Sequence, residues 1–183
     1  KIGNDVKGII FSGGPASVYE ENSPSVDKKI FDLNIPILGI CYGMQLITYL
    51  NGGMVEKSNK REFGKATLEI IEEGNPLFKG VPKESLVWMS HGDHITKMAK
   101  GFRTIAKTSS SNAAVCNDNK VYALQFHPEV LHSQYGKNMI ENFIFDICKI
   151  EKNWKMGDVI KEKIEDIKKK TKGEKVLLGL SGG

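Results

Sequence analysis

The sequence lacks any apolar run that approaches the roughly 18 to 20 residues of a membrane-spanning helix. It also has few cysteines, three in 183 residues, with no pairing pattern and no secretory segment. This usage excludes a disulfide-stabilised extracellular domain and indicates a reducing compartment. Internal repeats and low-complexity tracts are absent as well. We therefore expect a soluble, cytoplasmic, globular protein that binds no membrane.

The net charge is small, at +4, and its location argues against a nucleic acid partner. Residues 151–175 carry nine lysines and six acidic residues, so +3 of the total lies there. Both signs are interspersed, and one helical stripe is apolar: Val159, Ile160, Ile164 and Ile167. This pattern is typical of an amphipathic helix with a solvated charged face. We predict a linker helix over residues 151–174.

The chain is long enough for one α/β domain, which we place at residues 1–150, followed by the linker helix and a short strand that begins at Lys175. Hydrophobic residues make up 40% of the sequence, enough for a core. The apolar patterns predict strands at Val6–Ser12, Ala66–Ile71, Leu86–Met89, Phe102–Lys107, Ala113–Cys116 and Tyr122–Phe126, and a helix capped by Ser133 that runs to about Ile150.

The most informative motif is Gly39-Ile40-Cys41-Tyr42-Gly43. It follows an apolar stretch and opens a helical pattern that ends at Leu50. This is the strand, sharp turn and helix of a nucleophile elbow, with cysteine at the position of the nucleophile. The helix would aim its free N–H groups at the sulfur of Cys41, which favours the thiolate. The flanking glycines argue against a simple buried core cysteine, and Cys116 and Cys148 lack this context.

A base for this nucleophile is available at His127, where a predicted strand runs into His127-Pro128-Glu129. The imidazole can take the thiol proton and later donate one to a leaving group, while Glu129 fixes its tautomer. A second glycine turn, Ser12-Gly13-Gly14-Pro15, also follows a strand and exposes backbone N–H groups. Thiol attack on a carbonyl forms an oxyanion, and we expect the Gly14 and Tyr42 amides to stabilise it.

These motifs together resemble those of the class I (triad) glutamine amidotransferases. The matching segments are Ser12–Pro15, G-I-C-Y-G-M-Q at Gly39–Gln45 and Q-F-H-P-E at Gln125–Glu129. Three more segments narrow the resemblance to the GMP synthase branch of this family: Ser58–Gly64, Val87–Asp93 and Leu178–Gly183. The resemblance implies an α/β, flavodoxin-like fold with a mostly parallel central sheet, flanking helices and a nucleophile elbow.

The resemblance also implies the substrate, L-glutamine, which the Cys41, His127 and Glu129 triad would hydrolyse to glutamate and ammonia. Gln45 would hydrogen-bond the bound glutamine, and Asp93, in a loop from Ser90, would contact its α-ammonium. His91 and His94 flank Asp93, which invites a metal-site interpretation. Neither a cysteine nor a glutamate cluster lies nearby, and the family needs no metal or cofactor for glutamine hydrolysis, so no metal site is expected.

The last residues resemble the start of the S-G-G-x-D-S pyrophosphate loop of an ATP pyrophosphatase domain, and Ser181, Gly182 and Gly183 would be its first ATP-binding residues. In the GMP synthase branch this synthetase domain lies on the same polypeptide and uses ATP and Mg²⁺ to activate XMP. The ammonia then converts XMP to GMP, and the full enzyme is expected to be a homodimer. We expect this chain to be a piece that lacks an earlier strand and most of the synthetase domain, and therefore to bind no ATP.

Two alternatives stay open from the sequence. Another class I amidotransferase, or a γ-glutamyl cysteine hydrolase of the same fold, would keep Cys41 and His127 but would have no reason to carry the pyrophosphate-loop segment. A non-catalytic module that only binds a partner would usually have lost part of the triad, whereas Cys41, His127 and Glu129 are all present.

Overall fold

The computed structural model describes residues 2–3, 5–152 and 156–177. Its contacts divide the chain into two units, Lys1–Ile150 and Glu151–Gly183. The predicted strand from Lys175 falls mainly on residues 178–183, and these lie outside the described residues, as do Ser181, Gly182 and Gly183. The prediction for the pyrophosphate-loop residues therefore stays a prediction.

The first unit is built on a seven-stranded sheet with the order β1-β2-β7-β6-β5-β3-β4. The strands are β1 Ile9–Phe11, β2 Ile37–Ile40, β3 Met54–Ile70, β4 Glu84–Lys97, β5 Arg103–Lys107, β6 Ala114–Cys116 and β7 Val121–Leu124.

Helices α1, Tyr42–Leu50, and α2, Gly136–Glu141, accompany the sheet in this unit, and α2 continues as a π-helical turn at Asn142–Ile147. Short 3₁₀ helices lie at Lys28–Leu33 and Pro76–Phe78. The second unit contains α3, Met156–Thr171. Strands and helices alternate around one sheet, so the predicted α/β class is confirmed.

The sheet is mixed, and the expectation of a mostly parallel sheet does not hold for the described strands. The β1–β2 and β2–β7 pairings are parallel, whereas β3–β4, β3–β5, β5–β6 and β6–β7 are antiparallel. The physical reason lies in the connections. Parallel neighbours need a crossover of a dozen or more residues, whereas β5, β6 and β7 follow one another through short turns that permit only antiparallel pairing.

The strand β2 is central because it is buried on both faces, as a continuous apolar run predicts. Its successive residues point to opposite sides: Ile37 packs in a cluster with Met44 of α1, while Leu38 packs in a cluster with Phe143. Strand β7 alternates between the same two clusters. The sheet therefore carries α1 on one face and the π-helical turn after α2 on the other, and the turn after β2 lies at the edge between them.

The long hairpin of β3 and β4 was only partly predicted. The sequence indicated strands at Ala66–Ile71 and Leu86–Met89, but β3 begins at Met54 and β4 continues to Lys97. The pairing has a register irregularity between Lys57 and Glu62. The segment Ser90–Asp93 is therefore not a loop, as expected, but part of β4.

Two helix predictions also need correction. The second helix begins at Gly136 rather than at a Ser133 cap, and Tyr135 precedes it without a capping side chain. The predicted linker helix over residues 151–174 is observed as α3 in the second unit, Met156–Thr171. The apolar stripe of α3 is exposed at Ile160, Ile164 and Ile167. No helix in the described part of the chain is both long and apolar enough to cross a membrane.

Candidate active site

Cys41 lies in the turn between β2 and α1, in a backbone conformation that side chains rarely adopt, with φ of 51° and ψ of −104°. The surroundings fix this conformation. The Cys41 N–H donates to Leu124 O at 2.7 Å, and its carbonyl accepts from Met44 and Gln45 of the first turn of α1. Strain of this kind persists only where neighbouring structure over-determines it, and it is concentrated at functional sites.

The two flanking glycines are required by close packing rather than by their own dihedral angles, since neither has a positive φ. A Cβ on Gly39 would lie 2.5 Å from Ile47 Cδ1 and 2.7 Å from the carbonyl carbon of Gly43. A Cβ on Gly43 would overlap the carbonyl oxygen of Phe11 at the end of β1. The glycines therefore let α1 start directly against two strands, which leaves the sharp turn to Cys41.

The predicted base, His127, lies three residues past the end of β7. Its N–H donates to Trp88 O on β4 at 3.0 Å. Ser133 Oγ locks the same segment, because it donates to His127 O and accepts from the Trp88 N–H. The imidazole Nδ1 lies 2.6 Å from Glu129 Oε1. Donation from Nδ1 to the carboxylate leaves Nε2 for the thiol side of the ring.

Cys41 and His127 are electrostatically linked. A hydrogen bond with Cys41 is the largest influence that raises the pKa of His127, to about 9; burial opposes it, and the hydrogen bond with Glu129 adds to it. The Cys41 Sγ also lies 3.5 Å from Ser90 O, which can accept a hydrogen bond from the thiol. The structure therefore favours imidazolium beside the sulfur, the state that a cysteine nucleophile needs.

The two amides expected to bind an oxyanion lie on facing segments. Tyr42 is the first residue of α1, so its N–H has no intrahelical acceptor. A Cβ built on Gly14 would lie 3.7 Å from Tyr42 Cγ, so the two residues are neighbours. Within the described residues, neither amide donates to another backbone group. Both donors are thus available to a ligand.

A cavity of about 710 Å³ opens beside Cys41. Five of the seven residues predicted for the glutaminase site line it: Gly14, Cys41, Gln45, Asp93 and His127. The other two, Tyr42 and Glu129, are not in its wall. They contact its members from behind, the first through the chain beside Cys41 and the second through the imidazole.

Gln45 and Asp93 meet, but in a way the sequence did not predict. Gln45 is buried, and its Nε2 donates at 3.3 Å to the backbone oxygen of Asp93. The Asp93 side chain is also buried and accepts at Oδ1 from the Tyr19 hydroxyl at 3.0 Å. Asp93 therefore presents a fixed carboxylate to the cavity, with Gln45 holding its backbone.

Sequence reasoning missed several residues that line the cavity, notably Tyr19, Glu20, Lys57 and Phe63, and assigned no role to His91. Lys57 faces Asp93 directly across β3 and β4. The two-residue period of a strand offered a signal, and every second residue of β4 from Ser85 to Asp93 is indeed buried. That period would have placed His91 and Asp93 on the same face of one strand.

The remaining cysteines are buried core residues. Burial raises the pKa of the Cys148 thiol to about 11 and also raises that of Cys116. Neither is poised to react, since the thiolate is the nucleophile. Within the described residues, His, Cys, Asp and Glu side chains form no group of three suited to a metal ion. The expectation that glutamine hydrolysis needs no metal stays a prediction.

Comparison with known sequences adds independent findings. The profile of the family described as Glutamine amidotransferase class-I matches residues 1–147. The chain is 55% identical over its whole length to a GMP synthase (glutamine-hydrolyzing) of Fusobacterium nucleatum, and 54% identical over 178 residues to that of Aquifex aeolicus. It spans 36% and 35% of these relatives, about a third of their length.

Solved structures agree. A Thermoplasma acidophilum protein, named for its similarity to part of GMP synthase, matches with a TM-score of 0.67 and 31% identity, over 89% of this chain and 78% of that one. A glutamine amidotransferase of Thermotoga maritima matches with a TM-score of 0.56 and 25% identity, over 90% of this chain and 73% of that one.

Proposed function

The chain belongs to the class I glutamine amidotransferase family, and we propose that its first unit hydrolyses L-glutamine to glutamate and ammonia with Cys41 as nucleophile. One observation carries the proposal. The strained Cys41 turn and the imidazole of His127, which Glu129 holds at 2.6 Å, come from distant parts of the chain and line one cavity. This is the arrangement that an activated thiol requires.

In the first half-reaction, the Cys41 thiolate attacks the side-chain carboxamide carbon of glutamine. The carbonyl π electrons move to oxygen, and the Gly14 and Tyr42 amides would donate to the resulting oxyanion. The imidazolium of His127 then gives its proton to the departing nitrogen, because an amide ion cannot leave unassisted. Collapse of the intermediate releases ammonia and leaves a γ-glutamyl thioester on Cys41.

In the second half-reaction, water replaces ammonia. His127, now neutral, takes a proton from a water molecule as its oxygen attacks the thioester carbon. The second oxyanion would occupy the same pair of amides, and its collapse breaks the C–S bond. Glutamate leaves, and the proton on His127 restores the thiolate–imidazolium pair. Glu129 keeps Nδ1 protonated throughout, so that Nε2 faces the reacting atoms.

The cavity wall supplies recognition of the amino acid. We propose that the Asp93 carboxylate binds the α-ammonium of glutamine, since it is a buried anion that Tyr19 already orients. Gln45 contributes by holding the Asp93 backbone and by offering its own amide to the substrate. We expect no role for ATP or a metal ion in these steps.

The relatives named GMP synthase extend the proposal to the longer protein. We propose that ammonia from this unit aminates XMP, activated by ATP with Mg²⁺, in a synthetase domain of the same polypeptide, to give GMP. Ser181, Gly182 and Gly183 would begin the ATP-binding loop of that domain. A homodimeric full enzyme and a cytoplasmic location belong to the same proposal.

Labelling with a glutamine-mimicking diazoketone tests the glutaminase site without requiring turnover. Intact-mass and peptide mass spectrometry should find one adduct, on Cys41, and excess glutamine should prevent it. Cys116 and Cys148 serve as internal controls, because both are buried and have raised pKa values. A folded chain that forms no adduct, or that reacts equally at a control cysteine, would contradict the proposal.

A further inference from the structure

His91 forms a buried side-chain pair with Glu62 in the wall of the active-site cavity. The two residues stand directly opposite each other on β4 and β3. His91 Nε2 lies 3.2 Å from Glu62 Oε2, and the imidazole is only 4% exposed. On the other side of the ring, His91 Nδ1 lies 2.9 Å from the backbone oxygen of Asp93.

The two contacts place an acceptor on each side of the imidazole. A backbone carbonyl can only accept, so Nδ1 must carry a hydrogen. Within the described residues, neither His91 Nε2 nor Glu62 Oε2 has a hydrogen-bond partner with good geometry. A neutral ring would therefore point the Nε2 lone pair at a carboxylate oxygen in a buried site, which is unfavourable.

We infer that His91 carries a hydrogen on both ring nitrogens, paired with the Glu62 carboxylate, and that the two are positioning residues for the cavity wall. The inference rests on the proposed glutaminase function for its kinetic consequence. Neither side chain is assigned to the reacting atoms. They act through the backbone of β4, because His91 binds Asp93 O and Ser90 O faces the Cys41 sulfur.

The hairpin needs such a pair at this point. The register of β3 and β4 shifts between Lys57 and Glu62, so regular strand pairing is interrupted beside the cavity. Glu62 and His91 form the first paired position after the shift. Their contact would hold Asp93 O where it also accepts from Gln45 Nε2.

Other charged groups surround the pair. On the active-site side, His91 shares the cavity with Cys41, His127, Asp93, Lys57 and Glu20. A second cavity, of about 360 Å³, brings His94 and Lys107 to its other side. Glu62 lines a third cavity with Lys65, Glu69, Glu84 and Lys107. Among the described residues, Glu62 is the carboxylate within ion-pair distance of His91.

Nuclear magnetic resonance of the ¹⁵N-histidine-labelled chain tests the protonation directly, with the His91 signals assigned by a His91→Asn variant. At neutral pH both ring nitrogens of His91 should carry hydrogen. In Glu62→Gln, Nε2 should lose its hydrogen and accept from the new amide. An unprotonated Nε2 in the wild-type chain would overturn the inference, whether or not the chain hydrolyses glutamine.

Glutaminase kinetics test the positioning role. Glu62→Ala should raise KM for glutamine about tenfold or more, because a displaced wall misplaces the substrate. Glu62→Gln should recover most of this loss, to within about threefold of wild type, since its amide can donate to a neutral ring. Glu69→Gln is the matched control on the same strand, where an exposed glutamate pairs with Lys107 at 3.2 Å.

The outcomes separate the two proposals. If Glu62→Ala matches Glu69→Gln in both KM and kcat, the positioning role is wrong. If the wild-type chain is folded, carries a doubly protonated His91 and releases no glutamate, the proposed function fails and the pairing stands.

Discussion

Gly13 lies against the imidazole of His127. A Cβ built on this glycine would stand 2.9 Å from His127 Cε1 and 3.7 Å from the Cβ of Cys41. The Gly13 position therefore helps to define the space in which the base and the nucleophile meet. The neighbouring Gly14 differs, because a Cβ there would make only ordinary contacts with the Tyr42 ring, from 3.7 Å outward.

We therefore predict that Gly13→Ala lowers kcat for glutamine hydrolysis by about tenfold or more, since a small displacement of a catalytic group is enough to do so. Gly14→Ala keeps its backbone N–H and should lose less. Glutamate release by both variants gives the comparison, with circular dichroism to show that they are folded. A larger loss in Gly14→Ala would contradict this account of the site.

The triad makes a graded prediction. Cys41→Ala should abolish glutamine hydrolysis, whereas Glu129→Ala should lose on the order of 100-fold and leave a measurable remainder, because His127 can still act as a base. Glu141→Ala is a suitable control, as Glu141 is a partly exposed glutamate in an ion pair with Lys137. Near-complete activity in both site variants would rule out the mechanism.

Gly43 should be essential for stability. A Cβ there would overlap Phe11 O and lie 2.8 Å from the Phe11 carbonyl carbon, and backbone atoms cannot move aside easily. Gly43→Ala should therefore lower the free energy of unfolding by on the order of 3 kcal/mol. Gly74→Ala, where an added Cβ meets nothing within 4 Å, should change it little. Urea unfolding measures both, and equal midpoints would refute the packing argument.

The pKa of His127 predicts a pH dependence of stability. The folded chain holds this proton up to about pH 9, whereas the unfolded chain releases it near 6.5. Raising the pH across this window therefore favours the unfolded state, by on the order of 2 kcal/mol in total. Stability should be fully retained below pH 6.5 with respect to this group.

Cys41→Ala provides the control, because it removes the largest influence that raises the pKa of His127. Its free energy of unfolding should fall less between pH 6.5 and 9 than that of the wild-type chain. Urea unfolding across this range decides the point, and parallel curves for the two chains would show that the Cys41 contact does not raise this pKa.

Local sequence patterns predicted the elements that hold the candidate triad. A continuous apolar run predicted β2, a glycine-flanked cysteine predicted the turn, and a helical pattern predicted α1. These features are local, because strand, turn and helix preferences depend on residues a few positions apart. The same is true of His127 and Glu129, which two residues of separation and an intervening proline bring together.

The sequence by itself determined the α/β class, the elbow at Cys41 and the residues that could serve as its base. The tertiary structure alone decided the mixed sheet, the extent of the β3–β4 hairpin and the contacts of Gln45, Tyr19 and His91 with Asp93 and Glu62. Those contacts join residues far apart in the chain, and they depend on strand register, which local preferences do not fix.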